Sequence, residues 1–225
     1  MRPPAVVLSG PSGAGKTTVA RALQCASPGE LHFGVSATTR PPRPSETDGR
    51  DYRFVSRQEF DRLLAGDRLV EWAEVHGEMY GTPRSELERA RREGRTILLD
   101  IDLKGARQVR GHEPRALLLM VSPPTGGLIA ARLRGRSTET SDQIARRLAE
   151  AKEELVAAPE FDYLIINDTV EEAVSQALAA LRAVGEDPAE QSGQGQSRPL
   201  PMDRGGAEVA ARLLAELAAA VRSDA

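Results

Sequence analysis

Residues 10–17 read Gly10-Pro11-Ser12-Gly13-Ala14-Gly15-Lys16-Thr17, directly behind the apolar run Ala5 to Ser9 and ahead of helix-like sequence from Gly15 to Ala26. This is the pattern G-x4-G-K-[ST] in full, set between a strand and a helix, the context in which the pattern carries meaning. Gly13 and Gly15 let backbone N–H groups turn inward around phosphate oxygens, and the following helix points its positive end at the same anion. Lys16 adds a point charge for the β- and γ-phosphates, and the Thr17 hydroxyl is a ligand type for Mg²⁺. Only three of the 30 basic residues are lysines, so Lys16 stands where chemistry calls for one. The motif implies nucleotide binding with phosphoryl transfer and does not name the acceptor.

The rest of the chain is consistent with an α/β fold. Apolar runs at 5–9, 97–101, 116–121 and 163–166 lack alternation, as strands buried on both faces of a parallel sheet do. Helices are expected over 15–26, 57–65, 83–92, 103–111, 125–134, 140–157 and 170–183. Residues 32–39, 52–55 and 69–75 read as further strands, and the segment 32–80 as a small mixed or antiparallel insertion. Prolines 41, 42 and 44 forbid a helix in the loop between them. Thr125-Gly126-Gly127 is a loose start for a helix. Residues 185–206, rich in Gly, Pro, Ser and Gln, read as a flexible linker. Residues 207–225 follow as an amphipathic helix with Val209, Leu213, Leu214, Leu217 and Val221 on one stripe.

At 40% hydrophobic and 28% charged residues the chain is an ordinary globular one. A net charge of −3 leaves no strong field to recruit nucleic acid. The apolar runs fall far short of the roughly 20 residues that span a bilayer, so no membrane role is expected. One cysteine, Cys25, and no targeting signal lead to the expectation of a cytoplasmic protein. His32, His76 and His112 lack metal-ligand spacing.

Residues 36–54, SATTRPPRPSETDGRDYRF, hold every fixed position of S-x-T-T-R-x-P-R-x-x-E-x-x-G-x-D-Y-x-F, and here the sequence closely resembles the guanylate kinases. The resemblance runs on through Glu71-Trp72-Ala73, Tyr80-Gly81-Thr82, Asp100-Ile101-Asp102 with Gly105, the arginine-rich segment Arg132 to Thr140, Arg147-Leu148 and Asn167-Asp168, and covers roughly residues 4–183. It implies a phosphate-loop nucleoside-monophosphate-kinase fold. The parallel core, 1–33 and 83–184, would carry a GMP-binding insertion at about 34–82 and a helical lid at about 125–150.

By that resemblance Arg40, Arg43, Tyr52 and Tyr80 hold the GMP phosphate, with Glu46 in the same loop. Planar guanidinium forks suit this work because two polyanions must be brought together. Glu71 and Asp102 match the readers of guanine N1–H and its amino group, and Ser36 and Thr82 add hydroxyls. Asp100, at the end of an apolar strand, is placed near Mg²⁺, directly or through water, together with Thr17. Arg136 and Arg147 match phosphate-clamping arginines, and Thr18 and Asn167 join residues 10–17 on the ATP side. Lys16, Arg40, Arg43, Asp100, Arg136 and Arg147 are the expected catalytic set.

The expected reaction is ATP + GMP → ADP + GDP, with dGMP as a further acceptor. The acceptor phosphate, with a second pKa near 6, needs no general base. Two other readings stand beside it. A non-catalytic guanylate-kinase-like scaffold would have a degraded ATP site, whereas Gly15-Lys16-Thr17 is intact. A related sugar-phosphate kinase would lack the set Glu71, Tyr80, Asp100 and Asp102. Three outcomes are open for the apolar stripe after residue 207: docking on the core, pairing with a second subunit, or staying mobile.

Overall fold

The four unalternating apolar runs become the centre of one sheet. β1 (Ala5–Ser9), β7 (Thr96–Asp100), β8 (Leu117–Ser122) and β9 (Tyr163–Ile166) are mutually parallel where they pair, with β2 (Leu31–Phe33) beside β7 and a short antiparallel β10 (Leu200–Pro201) beside β9. The order across the sheet is β10-β9-β8-β1-β7-β2. The computed structural model of the chain describes residues 2–75, 77–135, 141–184 and 199–222.

β1 shows why such strands are apolar throughout. Val6 and Leu8 enter one core, with Val19 and Leu23 of α1 (Lys16–Ala26) and Ala173 and Ala177 of α7 (Val170–Ala183). Ala5 and Val7 enter the core on the other face, which is covered by α3 (Arg84–Arg92), α4 (Leu103–His112), α5 (Gly126–Arg134) and α6 (Ser141–Val156). Both faces are roofed, so alternation has no place. Asp100, Ser9, Ser122 and Ile166 end their strands at the same edge of the sheet. That is the edge where ligands bind in open α/β folds.

A second, four-stranded sheet runs β4-β3-β6-β5, made of β3 (Ala37–Thr38), β4 (Arg53–Phe54), β5 (Leu69–Val75) and β6 (Glu78–Pro83). Its small core of Ala37, Phe60, Leu69 and Met79 is closed by α2 (Arg57–Ala65), whose start carries a full capping box between Ser56 and Glu59. Two expectations change here. The single strand read over 32–39 is two strands in two different sheets, β2 and β3, with Gly34 between them packed against Leu99 and Ile97. β6 forms over the segment that carries the Tyr80-Gly81-Thr82 motif, and Pro83, expected inside the helix over 83–92, is the last residue of β6 and the N-cap of α3.

The segment read as a linker is structured from residue 199 onward. β10 extends the main sheet, Met202 is buried, and α8 (Gly206–Arg222) follows at once. Residues 185–198 lie outside the described residues. Leu213 and Leu217 of α8 are fully buried against α5 and α6, with Val209, Leu214 and Val221 packed partly around them. Of the three outcomes open to this apolar stripe, the structure has docking on the chain's own core. Among the described residues no helix is long and apolar enough to cross a membrane.

Candidate active site

The phosphate loop, residues 10–17, hangs between β1 and α1. Gly15 sits at φ 84°, a region open to glycine, and a Cβ on it would meet Asn167 Nδ2 at 2.5 Å. The loop is tied at each turn. Lys16 Nζ donates to the Gly10 and Pro11 carbonyls at 2.6 and 3.3 Å, and Asn167 Nδ2 donates to Ala14 O at 2.6 Å. Arg132 of α5 donates to Gly13 O at 3.1 Å, and Arg147 of α6 to Ser12 Oγ at 3.1 Å. Thr18 is exposed on the first turn of α1.

Opposite the loop, Thr17 Oγ1 donates to Asp100 Oδ2 at 2.5 Å, so the helix start and the end of β7 present two hard oxygens together. Burial pushes the Asp100 carboxyl up, against the pull of Lys16, the Thr17 hydroxyl and Arg21. A cleft of about 280 Å³ opens beside this pair. Thr17, Asp100 and Arg21 line it from the core, and Arg43, Glu46 and Tyr52 from the second sheet's loop. Burial pushes the Tyr52 phenol up to about 12, with Asp100 adding to the shift, so it stays a hydrogen-bond donor.

Arg40 and Arg43 are used differently. Arg40 forks onto Glu46 with two bonds of 2.9 Å, and gives its Nε to the Tyr80 hydroxyl at 3.2 Å. That pairing holds Glu46 below the usual carboxylate range and Arg40 above its ordinary value. Glu46 also accepts from the Arg43 N–H at 2.8 Å, which fixes the loop that carries Arg43. Glu46 therefore braces the two arginines, and Arg43 is the one that lines the cleft.

A second polar cluster lies where β5, β6 and α4 meet. Ser36 Oγ and Thr82 Oγ1 are 3.1 Å apart, and Thr82 donates to Glu71 Oε1 at 2.7 Å. Glu71 is buried, and burial pushes its carboxyl up to about 7, opposed by the Thr82 hydrogen bond and helped by the charge of Asp102. Asp102 caps α4, its Oδ1 accepting from Gly105 N at 2.8 Å. Gln108 of α4 exchanges both its amide bonds with the Trp72 backbone, at 3.1 and 2.7 Å, which locks β5 to the core.

Arg136 lies outside the described residues, as do residues 137–140 and His76. Sequence reasoning missed two groups at the loop. Glu154, on the same helical face as Arg147, accepts from the Ser12 N–H, and burial lifts its carboxyl to about 7. Its seven-residue offset from Arg147 was the available signal. Arg21, which lines the cleft, is the second missed group, and nothing in the sequence marks it out. A larger hollow of about 810 Å³ sits at the opposite end of the main sheet, near Pro3, Leu117, Tyr163 and Met202, and holds no phosphate-loop residue. Its Arg110 is already engaged by Asp162 at 2.6 Å.

Known proteins place this architecture. The model of the guanylate kinase family matches residues 2–184. The guanylate kinase of Nocardia farcinica is 50% identical over 176 residues, which is 77% of this chain and 91% of the relative. That of Streptomyces coelicolor is 48% identical over 183 residues, 81% of this chain and 92% of the relative. The crystal structure of guanylate kinase from Anaplasma phagocytophilum superposes with a TM-score of 0.66 at 33% identity, covering 84% of this chain and 89% of that one. The match over most of both partners, on a fold whose phosphate loop and second sheet face one cleft, means that the chain belongs to the guanylate kinase family.

Proposed function

We propose that the chain transfers the γ-phosphoryl group of ATP to the phosphate of GMP, giving ADP and GDP. The observation that carries this reading is the cleft itself. Its core wall holds Thr17 and Asp100 beside the phosphate loop, and its other wall holds Arg43 and Tyr52. Two anionic groups are thereby brought to one small volume lined by their neutralising partners.

On the donor side the loop amides and Lys16 take the β- and γ-phosphates, and Lys16 exchanges its carbonyl partners for them. Arg132, Arg147 and Asn167 hold the loop in shape. Thr17 and Asp100 fit a Mg²⁺ ion, which is bound mainly through substrate phosphates and needs only one or two protein oxygens. Bound there, the ion would neutralise charge on the transferring group.

On the acceptor side Arg43, Tyr52 and Tyr80 receive the GMP phosphate, with Arg40 set by Glu46. Glu71 and Asp102 accept from guanine N1–H and the amino group, while Ser36 and Thr82 orient Glu71. Adenine lacks that donor pair, so AMP would leave the buried Glu71 carboxylate without its guanine partner. The GMP oxygen is ionised near neutral pH and attacks without a base. Catalysis is then positioning and charge neutralisation.

The test is ADP release from MgATP with GMP, dGMP, AMP, CMP or UMP as acceptor. Turnover with the guanine nucleotides alone is the expected result. Turnover with another acceptor overturns the base-site assignment, and none with a folded protein overturns the reaction.

A further inference from the structure

Arg21 belongs to neither substrate group above, yet it stands at the seam between them. It lies one helical turn beyond Thr17, so both side chains share a face of α1. Its guanidinium lies 3.8 Å from the centre of the Phe33 ring on β2, a cation–π contact that fixes the side chain to the core. From there Nη2 donates to the Arg50 carbonyl at 2.5 Å and stands 3.6 Å from Asp51 Oδ1. Arg50 and Asp51 belong to the turn that immediately precedes Tyr52.

Asp51 is a two-sided node. Its Oδ2 accepts from the Thr47 N–H at 2.9 Å and from two nitrogens of Arg50 at 2.9 and 2.7 Å, which closes the turn on itself. Its Oδ1 faces the core. Arg21 alone among these groups connects the turn to α1, and both Arg21 and Asp51 line the cleft.

We infer that Arg21 is a positioning residue that latches the acceptor loop onto the phosphate-loop helix, through the Arg50 carbonyl and Asp51, and so sets the position of Arg43 and Tyr52 for the acceptor phosphate. The latch ties the two halves of the site mechanically, because the helix that begins with Lys16 also carries the loop's anchor. Its kinetic consequence rests on the function proposed above. Its structural consequence does not.

The test uses the full chain and the variants Arg21→Ala, Arg21→Lys, Asp51→Asn and the double variant Arg21→Ala/Asp51→Asn. Hydrogen exchange of the ligand-free proteins reads the amides of residues 47–52. Calorimetry and steady-state kinetics read GMP and ATP separately. Arg21→Ala is expected to speed exchange across 47–52 and to raise the GMP Kd and KM by about tenfold, the weight of one charge-assisted hydrogen bond. The ATP Kd should not move. The double variant should lose less than the sum of the two single losses, because Asp51 also closes the turn without Arg21. Arg21→Lys should recover only part, since an ammonium cannot both stack flat on Phe33 and fork to the turn.

Unchanged exchange in Arg21→Ala overturns the latch. So does an equal loss of ATP and GMP binding. A GMP loss fully additive with that of Asp51→Asn also overturns it, since Arg21 would then be acting on the phosphate itself. A wild-type chain that binds no GMP, with exchange still accelerated in Arg21→Ala, sinks the proposed function and leaves the latch standing.

Discussion

A Cβ placed on Gly105 would lie 2.5 Å from Glu71 Oε2, so the first turn of α4 packs on the buried carboxylate with only hydrogen between them. Gly105 also gives its N–H to Asp102. One backbone position thus sets both carboxylates of the cluster. Gly105→Ala should displace Glu71 and raise the GMP KM by about tenfold or more, as a small misplacement in a binding site does, while leaving the ATP KM alone. Steady-state kinetics with each substrate varied in turn checks this.

Lys16 is bonded in the ligand-free loop to two backbone carbonyls, so its removal frees those acceptors to water without opening a core. Lys16→Ala is expected to lower turnover at least about a hundredfold, in the range of losing one preorganised charge at a developing anion. The circular dichroism spectrum and thermal midpoint should stay near those of the wild type. A folded Lys16→Ala protein with normal turnover would falsify the assignment of the donor site.

Glu71 makes a pH prediction with a definite sign. Its carboxyl titrates at about 7 in the folded chain against an ordinary value of 4.5. Between those values the native state holds a proton that the unfolded chain has released. Its contribution to stability therefore falls as pH rises through that window, and is flat above it. Glu154 adds a slope of the same sign. Thermal midpoints at pH 5 and 7.5 should differ less in Glu71→Gln than in the wild type. GMP needs the ionised form, so its binding below pH 7 should release a proton. Calorimetry in buffers of unequal ionisation enthalpy reads that proton directly.

The docking of α8 predicts a stability loss far from the substrates. Leu213 is fully buried against α5 and α6. Leu213→Ala should cost about 2–5 kcal/mol, as truncation of a buried leucine does, seen as a lower denaturant midpoint at unchanged slope. A loss under about 0.5 kcal/mol, the level of an ordinary surface change, would mean the helix is not held there in solution.

The residues proposed to carry the chemistry are the most legible. A phosphate loop has a local pattern, and its context of strand and helix is local too. The carboxylate-and-hydroxyl cluster of Glu71, Thr82 and Ser36 was readable only through the family likeness, because its members come from three strands or strand edges. Arg21 had no signal. It is one arginine in an arginine-rich chain, and its meaning comes from a turn 29 residues away. The strand read over 32–39 failed for a different reason. Both halves have strand-forming residues, and only Gly34, pressed on Leu99, shows where the chain changes sheet.

Thr125-Gly126-Gly127 was an oddity in the sequence that the structure explains. Thr125 caps α5 by accepting from Leu128 N at 3.2 Å. A Cβ on Gly126 would come within 2.2 Å of the Leu213 carbonyl, so the helix starts with glycine because α8 crosses its end at backbone distance. Glu216 accepts the Gly126 N–H at 2.9 Å, a carboxylate placed at the positive end of α5. The sequence showed both surfaces of this contact and gave no sign that they meet.

That contact has a consequence for how the protein is made. Chains leave the ribosome N-terminus first, at about 5–20 residues per second. The helices that carry Arg132 and Arg147 are therefore complete well before α8 exists, and β9 stands as a bare sheet edge until Leu200–Pro201 arrives. An unpaired edge beside uncovered leucines is a template for joining another chain. A premature stop just before residue 199 would leave every motif of the site intact and yet deliver a nascent protein with an open seam, fit for a chaperone or a protease.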